Sequence, residues 1–356
     1  MKQKLLKTTA LVSSMLLAIG ATSSANAAPH SSSSLFVASS TEGTLNAIAP
    51  LIQIYQMAIL TSLLQNHLYM LQLGQRGNTP SSPDMSGNFT GIAAGEQSSA
   101  LTDKLSIWAS ANYSEAESDF APTAYKSETV GGSVGVDYIL SDYVTLGAFL
   151  SYNDTDTNSS FNGGSADTQA ITFGPYASFV VDDMFSIDAS IAYTTSDIDN
   201  SRTVGAVVAT GNQDGDSTYI SVGLNAMKWY DNIGVSGRLG WGYSDTDNDA
   251  YTDSLGTAFA ATDSQLGQIS LGGKVSYYGG SYMPYIGATY KYDAVSDNVT
   301  TVTPPSPAND KDEVQLEAGI SLFGDGPLSG GISGSYTVLR EEFDGWGVGG
   351  NISYRF

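Results

Sequence analysis

The sequence predicts an all-β fold, a transmembrane antiparallel β-barrel of about twelve strands that follows an N-terminal α-helical segment. Three observations lead to this prediction. Apolar residues recur at every second position in about twelve stretches after Leu105, which is the period of a strand with one apolar face. The chain ends on one of these stretches, Trp346 to Phe356, and its last residue is aromatic. The connections between the stretches alternate between short and long, as they do in barrels that span a membrane.

The first residues have the pattern of a secretory signal peptide. Lys2, Lys4 and Lys7 precede an apolar stretch, and Ala25-Asn26-Ala27 supplies the small residues of a cleavage site. We therefore exclude residues 1–27 from the fold and expect the chain to be exported. Because the chain contains no cysteine, its stability must come from packing and from hydrogen-bonded closure of the sheet rather than from disulfides.

Residues 28–102 are predicted to be an N-terminal helical segment and linker, either a short passenger or a plug of the pore. Within this part, residues 43–75 have helical apolar periodicity and contain no Lys, Arg, Asp or Glu. Such a helix packs inside another structure or spans a membrane, and the polar side chains of Gln53, Gln56 and Gln65 disfavour a span. Residues 76–102 are rich in Gly, Ser, Pro and Asn, which predicts a linker.

Residues 103–356 are predicted to form the barrel, with one apolar face on each strand. An even number of strands is typical of bacterial single-chain barrels. The apolar positions, at every second residue, run from Ile107 to Tyr113, Val130 to Tyr138, Val144 to Tyr152, Ile171 to Phe179, Phe185 to Tyr193, Ile220 to Ala226, Val235 to Tyr243, Ile269 to Tyr277, Ile286 to Tyr292, Val314 to Leu322, Ile332 to Val338 and Trp346 to Phe356.

The predicted connections set the topology. Short turns are expected at Ser141-Asp142, Asp182-Asp183, Asp231-Asn232, Gly279-Gly280 and Gly324-Asp325-Gly326, with a short hairpin near Glu341 to Asp344. Longer polar loops are expected near residues 114–124, 153–167, 194–218, 244–264 and 293–312. This rhythm is that of periplasmic turns and extracellular loops, so both ends of the barrel are expected on the periplasmic side.

The alternation also assigns each side chain to lipid or to the lumen, because a slip of one residue would exchange the two faces. Val134, Leu146 and Ile320 are predicted to face lipid, and Ser133, Thr145 and Glu317 to face the lumen. The predicted lumen set includes further charged residues, which are Asp137, Asp188, Arg238, Lys274, Lys291 and Arg355.

Tyrosines near the strand ends predict two aromatic girdles, as expected at the two membrane interfaces. One girdle is Tyr113, Tyr152, Tyr193, Tyr243 and Tyr292, and the other is Tyr138, Tyr230, Tyr277 and Tyr354. A soluble β-sandwich is the structural alternative, since it would turn the apolar faces inward. Those faces are rich in Gly and Ala and would pack a poor dry core, which disfavours the sandwich.

The alternating strands, the closing stretch Gly345 to Phe356 and the apolar helix upstream together resemble the translocator domain of autotransporters, the type V secretion family. The resemblance covers about residues 100–356. It implies a barrel in the outer membrane of a Gram-negative bacterium, surrounded by lipid and lipopolysaccharide and inserted by the barrel-assembly machinery. That machinery reads a terminal aromatic residue and the apolar residues two and four before it, which here implies an assembly signal at Ile352, Tyr354 and Phe356. This chain differs from the family in lacking a large β-helical passenger.

Charge and motifs limit the chemistry that the chain can perform. The 14 basic residues include three in the signal, so 11 remain against 36 acidic residues, and a net charge of about −25 argues against nucleic acid as a partner. The two histidines, His30 and His67, both precede the barrel, so Gly215-Asp216-Ser217 has no base to activate its serine.

Two acidic motifs also carry no predicted site. Asp154-x-Asp156-x-Asn158 and Asp245-x-Asp247-x-Asp249 lack the Gly and Glu of a calcium loop and are interpreted as solvated loop tips, with weak binding of a divalent ion as the alternative. The sequence therefore predicts no enzyme, no cofactor and no metal site.

Three functions remain open from the sequence. The first is a translocator or structural barrel whose helix occupies the pore. The second is a surface-binding protein, such as an adhesin, that contacts an unidentified host ligand through its acidic loops. The third is a small porin.

Overall fold

The computed structural model describes residues 104–119, 124–159, 163–298, 311–323, 327–340 and 343–356. The predicted signal peptide and the predicted helix at 43–75 lie outside the described residues, as does the predicted turn at residues 324–326. Within the described part of the chain, no helix is long and apolar enough to cross a membrane.

The described residues form fourteen strands. They are β1 (Leu105–Ser118), β2 (Tyr125–Ser141), β3 (Val144–Ser159), β4 (Gly164–Val180), β5 (Phe185–Val204), β6 (Val207–Tyr230), β7 (Ile233–Asn248), β8 (Tyr251–Thr252), β9 (Ala258–Phe259), β10 (Thr262–Tyr277), β11 (Tyr282–Asn298), β12 (Asp312–Phe323), β13 (Leu328–Val338) and β14 (Phe343–Arg355). All but β8 and β9 belong to one closed sheet in which sequence neighbours pair antiparallel, and β14 pairs with β1 to close it. The predicted barrel of about twelve strands is confirmed.

The strand register places apolar side chains outside and small polar side chains inside. Val134, Leu146 and Ile320 are 55%, 42% and 36% exposed, whereas Ser133 and Thr145 on the other face are buried. A soluble sandwich would show the opposite, because its apolar faces would form the core. The predicted register is therefore confirmed, and the apolar side chains form an outer band around the barrel, as they do in barrels that span a membrane.

Short turns join the strands at one rim of the barrel. They follow β2, β4, β6 and β10, where the sequence predicts them, and Asp231 in one of them adopts a left-handed conformation with φ of 51°. In outer-membrane barrels the rim with short turns is periplasmic, and the opposite rim is extracellular. The N-terminal end of β1 and the C-terminal end of β14 meet at the periplasmic rim.

At the extracellular rim, two of the predicted loops, at 153–167 and 194–218, are wrong, and the predicted loop at 244–264 is right only for its middle part. The predicted loops near 114–124 and 293–312 lie partly outside the described residues. Residues 153–159 and 164–167 belong to β3 and β4, and residues 194–218 belong to β5 and β6 apart from the turn at Gly205 and Ala206. These strands continue on the extracellular side of the girdle that contains Tyr152, Tyr193 and Tyr243. We refer to residues 153–159, 164–170, 194–218, 244–248 and 262–266 as the extracellular extension.

The extension escapes a search for apolar alternation because its outer face carries few apolar residues. Asp154 and Asp156 occupy alternate outer positions of β3, as Asp197 and Asp199 do on β5, and Ser and Thr are the commonest residues of the inner face. Cross-strand hydroxyl pairs join the inner face, with 2.8 Å between Ser217 Oγ and Thr246 Oγ1, and Thr155 Oγ1 lies 2.9 Å from Thr129 Oγ1 on the neighbouring strand β2. Backbone ladders and these pairs propagate the strands where hydrophobic burial no longer does.

Candidate functional site: the barrel lumen and its closing seam

The lumen wall is built from the inward positions of the twelve barrel strands. Small hydroxyl residues dominate it, and they pair across strands, as Ser133 Oγ does by donating to Ser151 Oγ at 3.0 Å. The six charged residues predicted for this face, together with Glu317, all lie on it, and they fall into groups near the two rims.

Near the periplasmic rim, Arg238 of β7 pairs with Asp188 of β5. The guanidinium contacts both carboxylate oxygens, with Nη2 at 2.8 Å from Oδ2, and Nη1 also donates to Asn225 Oδ1 at 3.0 Å. Asp188 is 2% exposed. Because a buried carboxylate is costly unless it is paired and hydrogen-bonded, this contact holds three neighbouring strands in one arrangement.

A second pair lies further round the same rim. Lys274 Nζ is 3.4 Å from Glu317 Oε2, and it also lies 4.2 Å from the centroid of the Tyr285 ring. The Tyr285 hydroxyl donates to the other oxygen of Glu317 at 2.9 Å. The charge of Lys274 is thus neutralised within the wall by a carboxylate and an aromatic face.

The charged group near the extracellular rim links four residues. Glu313 accepts from Lys291 at 2.8 Å and from Arg340 at 3.0 Å, and Arg340 also binds Asp293. Two cations and two carboxylates therefore balance one another. At both rims, the charged side chains of the lumen wall therefore bind one another within the wall.

Aromatic residues line one side of the lumen. Trp108, Phe149 and Tyr176 are buried and pack with Ala192, and Tyr219 packs against them. Trp108 Nε1 donates to the Tyr176 hydroxyl at 2.8 Å, and that hydroxyl donates to Asp137. The alternation from Ile107 to Tyr113 in the sequence implies that Trp108 faces inward, but it does not predict this cluster.

A glycine opposite each ring makes this packing possible. Gly135 is the register partner of Trp108, and Gly147 is the register partner of Tyr176. A Cβ at Gly135 would lie 2.4 Å from the Trp108 ring, and one at Gly147 would lie 2.2 Å from the Tyr176 ring. The rings therefore lie across the neighbouring strand, and the glycines are the sequence signal that could have predicted them.

The closing seam carries the predicted assembly signal. Ile352 and Tyr354 lie on the outer face of β14, and Phe356 follows its last residue; the three are 51%, 41% and 43% exposed. The rings of Tyr354 and Phe356 meet edge to face with centroids 5.1 Å apart. The amide of Phe356 donates to the Leu105 carbonyl at 3.1 Å, so the last residue joins the strand that it closes against.

The motifs weighed for catalysis or metal binding lie on strands. Asp154 and Asp156 are on the outer face of β3, and Asp245 and Asp247 are on β7, so their interpretation as loop tips is wrong. Their spacing is the period of a strand. Ser217 is on β6 and faces inward, where it is paired with Thr246. Among the described residues, no group of His, Asp or Glu side chains is arranged to hold a metal ion.

The closed sheet with its apolar outer band and polar lumen defines an integral outer-membrane β-barrel. The family described as "Autotransporter beta-domain" matches residues 107–335, and the chain belongs to that family. No curated protein sequence matches the chain.

Solved structures of autotransporters have the same fold. The chain is similar to the translocator domain of the autotransporter NalP from Neisseria meningitidis, with 16% identity, a TM-score of 0.64, and coverage of 73% of this chain and 90% of that one. The beta domain of the Bordetella autotransporter BrkA is 15% identical with a TM-score of 0.61, and coverage is 71% of this chain and 100% of that one. The transport unit of AIDA-I from Escherichia coli is 13% identical with a TM-score of 0.56, covering 78% and 99%.

Proposed function

We propose that the barrel serves as a translocator whose lumen holds residues 43–75 as a plug, and that residues 28–102 are its short passenger and linker. The observation that supports this most is the polar lumen wall, in which Arg238, Lys274, Lys291 and Arg340 each have a carboxylate partner on the wall itself.

A wall of this kind suits an uncharged occupant. A charged plug would have to compete for carboxylates and cations that already bind each other, whereas a segment without Lys, Arg, Asp or Glu leaves those pairs intact. Gln53, Gln56 and Gln65 can exchange hydrogen bonds with the Ser and Thr hydroxyls of the lumen. The apolar residues of the segment would be shielded from water, which free exposure would not do.

Planar-bilayer conductance tests the plug. In one variant, residues 43–75 are replaced by a Gly-Ser sequence of the same length, and in the control residues 76–102 are replaced in the same way. We expect the first replacement to raise single-channel conductance and the second to leave it unchanged. Equal conductance in all three proteins would contradict the plug, and a large conductance in the unaltered chain would favour the porin instead.

We further propose that the barrel contacts outer-membrane lipid and lipopolysaccharide, and that the barrel-assembly machinery inserts it by reading Ile352, Tyr354 and Phe356. We expect no enzymatic activity from the chain, because neither histidine lies within the predicted barrel region.

A surface-binding role is the second candidate, favoured by the extension, which projects acidic side chains away from the lumen. Protease treatment of intact cells separates the two functions. Cleavage within residues 28–75 would indicate an exposed segment, whereas resistance until the membrane is disrupted is expected if that segment is enclosed by the barrel.

A further inference from the structure

The connection between β7 and β10 folds inward at the extracellular rim. We call residues 249–261 the strap. The hairpin of β5 and β6 extends past β7, because the pairing of β6 with β7 ends at Gly215 and Asn248. We call residues 199–214, which form the end of that hairpin, the arm. Arg202 alternates with the exposed residues of β5 and is 6% exposed, so it faces the lumen side of the arm. The strap contacts Arg202, and it therefore lies against that inner surface.

The strap is a preformed unit. β8 and β9 pair Tyr251 with Phe259, and the two rings stack with centroids 4.6 Å apart. Asp253 Oδ1 accepts from the backbone amides of Leu255 at 3.0 Å and Thr257 at 2.8 Å, which closes the turn between the two strands. Gly256 in that turn has a φ of 81°, a conformation that favours glycine. These contacts lie within the strap and do not depend on the arm.

One buried ion pair dominates the attachment of the strap to the arm. Arg202 Nε and Nη2 both donate to Asp253 Oδ2, at 3.0 Å and 2.5 Å, and the two side chains are 7% and 3% exposed. Arg202 Nη2 also donates to Thr257 Oγ1 at 2.9 Å, and its guanidinium lies 5.5 Å from the centroid of the Phe259 ring. Arg202 thus contacts both limbs of the strap.

Other hydrogen bonds hold the strap along the free edge of β6, and the side-chain amide of Gln213 donates to the Asp249 carbonyl at 2.7 Å. The Ser254 amide donates to the Thr210 carbonyl at 2.8 Å, and the Thr210 amide donates to Ser254 Oγ at 3.1 Å. The Asp249 amide donates to the Asp214 carbonyl at 2.8 Å. These backbone groups of β6 lie beyond the end of its pairing with β7. If the strap detaches, water can form the hydrogen bonds that the strap made with them.

The ionised state of Asp253 favours attachment of the strap to the arm. Burial acts to raise the pKa of Asp253, but the hydrogen bonds from Arg202 and from the amides of Thr257 and Leu255 outweigh it and lower that pKa below its ordinary value. Asp253 is therefore ionised at neutral pH. If Arg202 is removed, the docked strap must bury this carboxylate without its cation, which is strongly unfavourable.

From these contacts we propose that residues 249–261 form a detachable strap across the extracellular mouth of the lumen, and that the ion pair between Arg202 and Asp253 is its latch. The strap keeps its own fold when it detaches, and the edge of β6 becomes exposed to water. Because the strap occupies the lumen side of the arm, its departure widens the extracellular exit. This inference does not depend on what fills the pore below.

Cysteine labelling of the full-length chain in outer membranes tests the latch, since the natural sequence has no cysteine. Ala209, the register partner of Arg202, is 1% exposed on the inner face, and its neighbour Val208 is 60% exposed on the outer face. In an Ala209→Cys background, we expect Arg202→Gln to speed maleimide labelling by about a hundredfold or more, as breaking a buried pair implies. Arg202→Lys, which keeps the charge, should speed it less.

Two controls keep the test specific. Asp249→Asn removes a charge from the strap without touching the latch and should leave labelling slow, and Val208→Cys should label fast in every background. Equal labelling of Ala209→Cys with Arg202→Gln and with Asp249→Asn would overturn the latch. Bilayer recordings in the variant whose residues 43–75 are replaced by a Gly-Ser sequence complete the test, because no plug limits the current there. In that variant Arg202→Gln should increase the open probability, and faster labelling with unchanged currents would overturn the position of the strap across the mouth.

Discussion

Asp167 of β4 lies directly opposite Asp199 of β5 on the outer face of the extracellular extension, and Asp156 of β3 lies opposite Asp167 on its other side. Three carboxylates thus form a row across three neighbouring strands. Burial, followed by the charges of Asp154, Asp156 and Asp199, raises the pKa of Asp167 above its ordinary value. Directly opposed like charges destabilise a sheet, so the row costs stability at neutral pH.

We expect Asp167→Asn to stabilise the barrel at pH 7 by a few tenths to about 1 kcal/mol. The raised pKa means that the folded chain binds more protons than the unfolded chain just above the ordinary value of 3.8, so stability falls as pH rises through this window. The gain from the substitution should therefore shrink below that pH.

Urea unfolding of the barrel refolded in detergent, at neutral and acidic pH, measures the effect of Asp167→Asn. Asp142→Asn, in a periplasmic turn, is the matched control and should change the midpoint little at either pH. A loss of stability at pH 7 in Asp167→Asn would show that the row is stabilising, for instance through bound cations, and would contradict the prediction.

Neighbouring residues of β13 test the two faces of the wall. Ile332 is 64% exposed on the outer face, and Ser333 is half-buried on the lumen face. Ile332→Arg places a charge in lipid at a cost of about 2–4 kcal/mol near the membrane centre, whereas Ser333→Arg places it in a polar lumen. We expect the first variant to lose most of its heat-modifiable folded form in membranes and the second to keep it. Similar losses in both would refute the assigned register.

The sequence was sufficient to predict which side chains point outward and which point inward wherever one face of a strand is apolar. Ser133 and Val134 could be assigned because lipid imposes a period of two on the membrane-spanning part of every strand. Beyond the girdle that constraint ends, and Asp154 and Asp156 were interpreted as a loop although their spacing is that of a strand. Contacts between residues that are far apart in the chain could not be predicted from the sequence either. Arg202 and Asp253 are 51 positions apart, and only the folded strap brings them together.

The cluster of Trp108 and Tyr176 was missed for a related reason. Aromatic residues in barrel strands are expected at the girdles, and an inward pair is recognised only when Gly135 and Gly147 are known to lie opposite the rings.

The ion pair of Arg238 with Asp188 should contribute more to the free energy of unfolding than an exposed ion pair does. Arg238→Met leaves Asp188 buried without its cation, and we expect a loss of about 3 kcal/mol or more in the free energy of unfolding. Lys126→Met breaks the contacts of Lys126 with Glu115 and Glu128, at 3.1 Å and 3.2 Å, in an exposed setting, and should cost less than about 1 kcal/mol. Urea midpoints of the two refolded variants give the comparison. Equal losses would mean that Asp188 is solvated in the lumen.

The terminal aromatic residue allows recognition to be separated from stability. Phe356→Ala keeps the backbone bond to Leu105 and removes a ring that is 43% exposed, so the refolded barrel should lose little stability. If the assembly machinery reads Ile352, Tyr354 and Phe356, the same substitution should lower the assembled barrel in cells several-fold.

Val348 is the matched control, because it lies on the same face of β14 and is 48% exposed, but stands away from the chain end. Val348→Ala should leave both the cellular level and the urea midpoint nearly unchanged. Parallel losses of assembly and of stability in Phe356→Ala would make the ring a structural element of the seam, since a defect in recognition does not change the unfolding of a barrel that is already folded. A loss of assembly alone is the expected result, and it would assign the ring to the assembly signal.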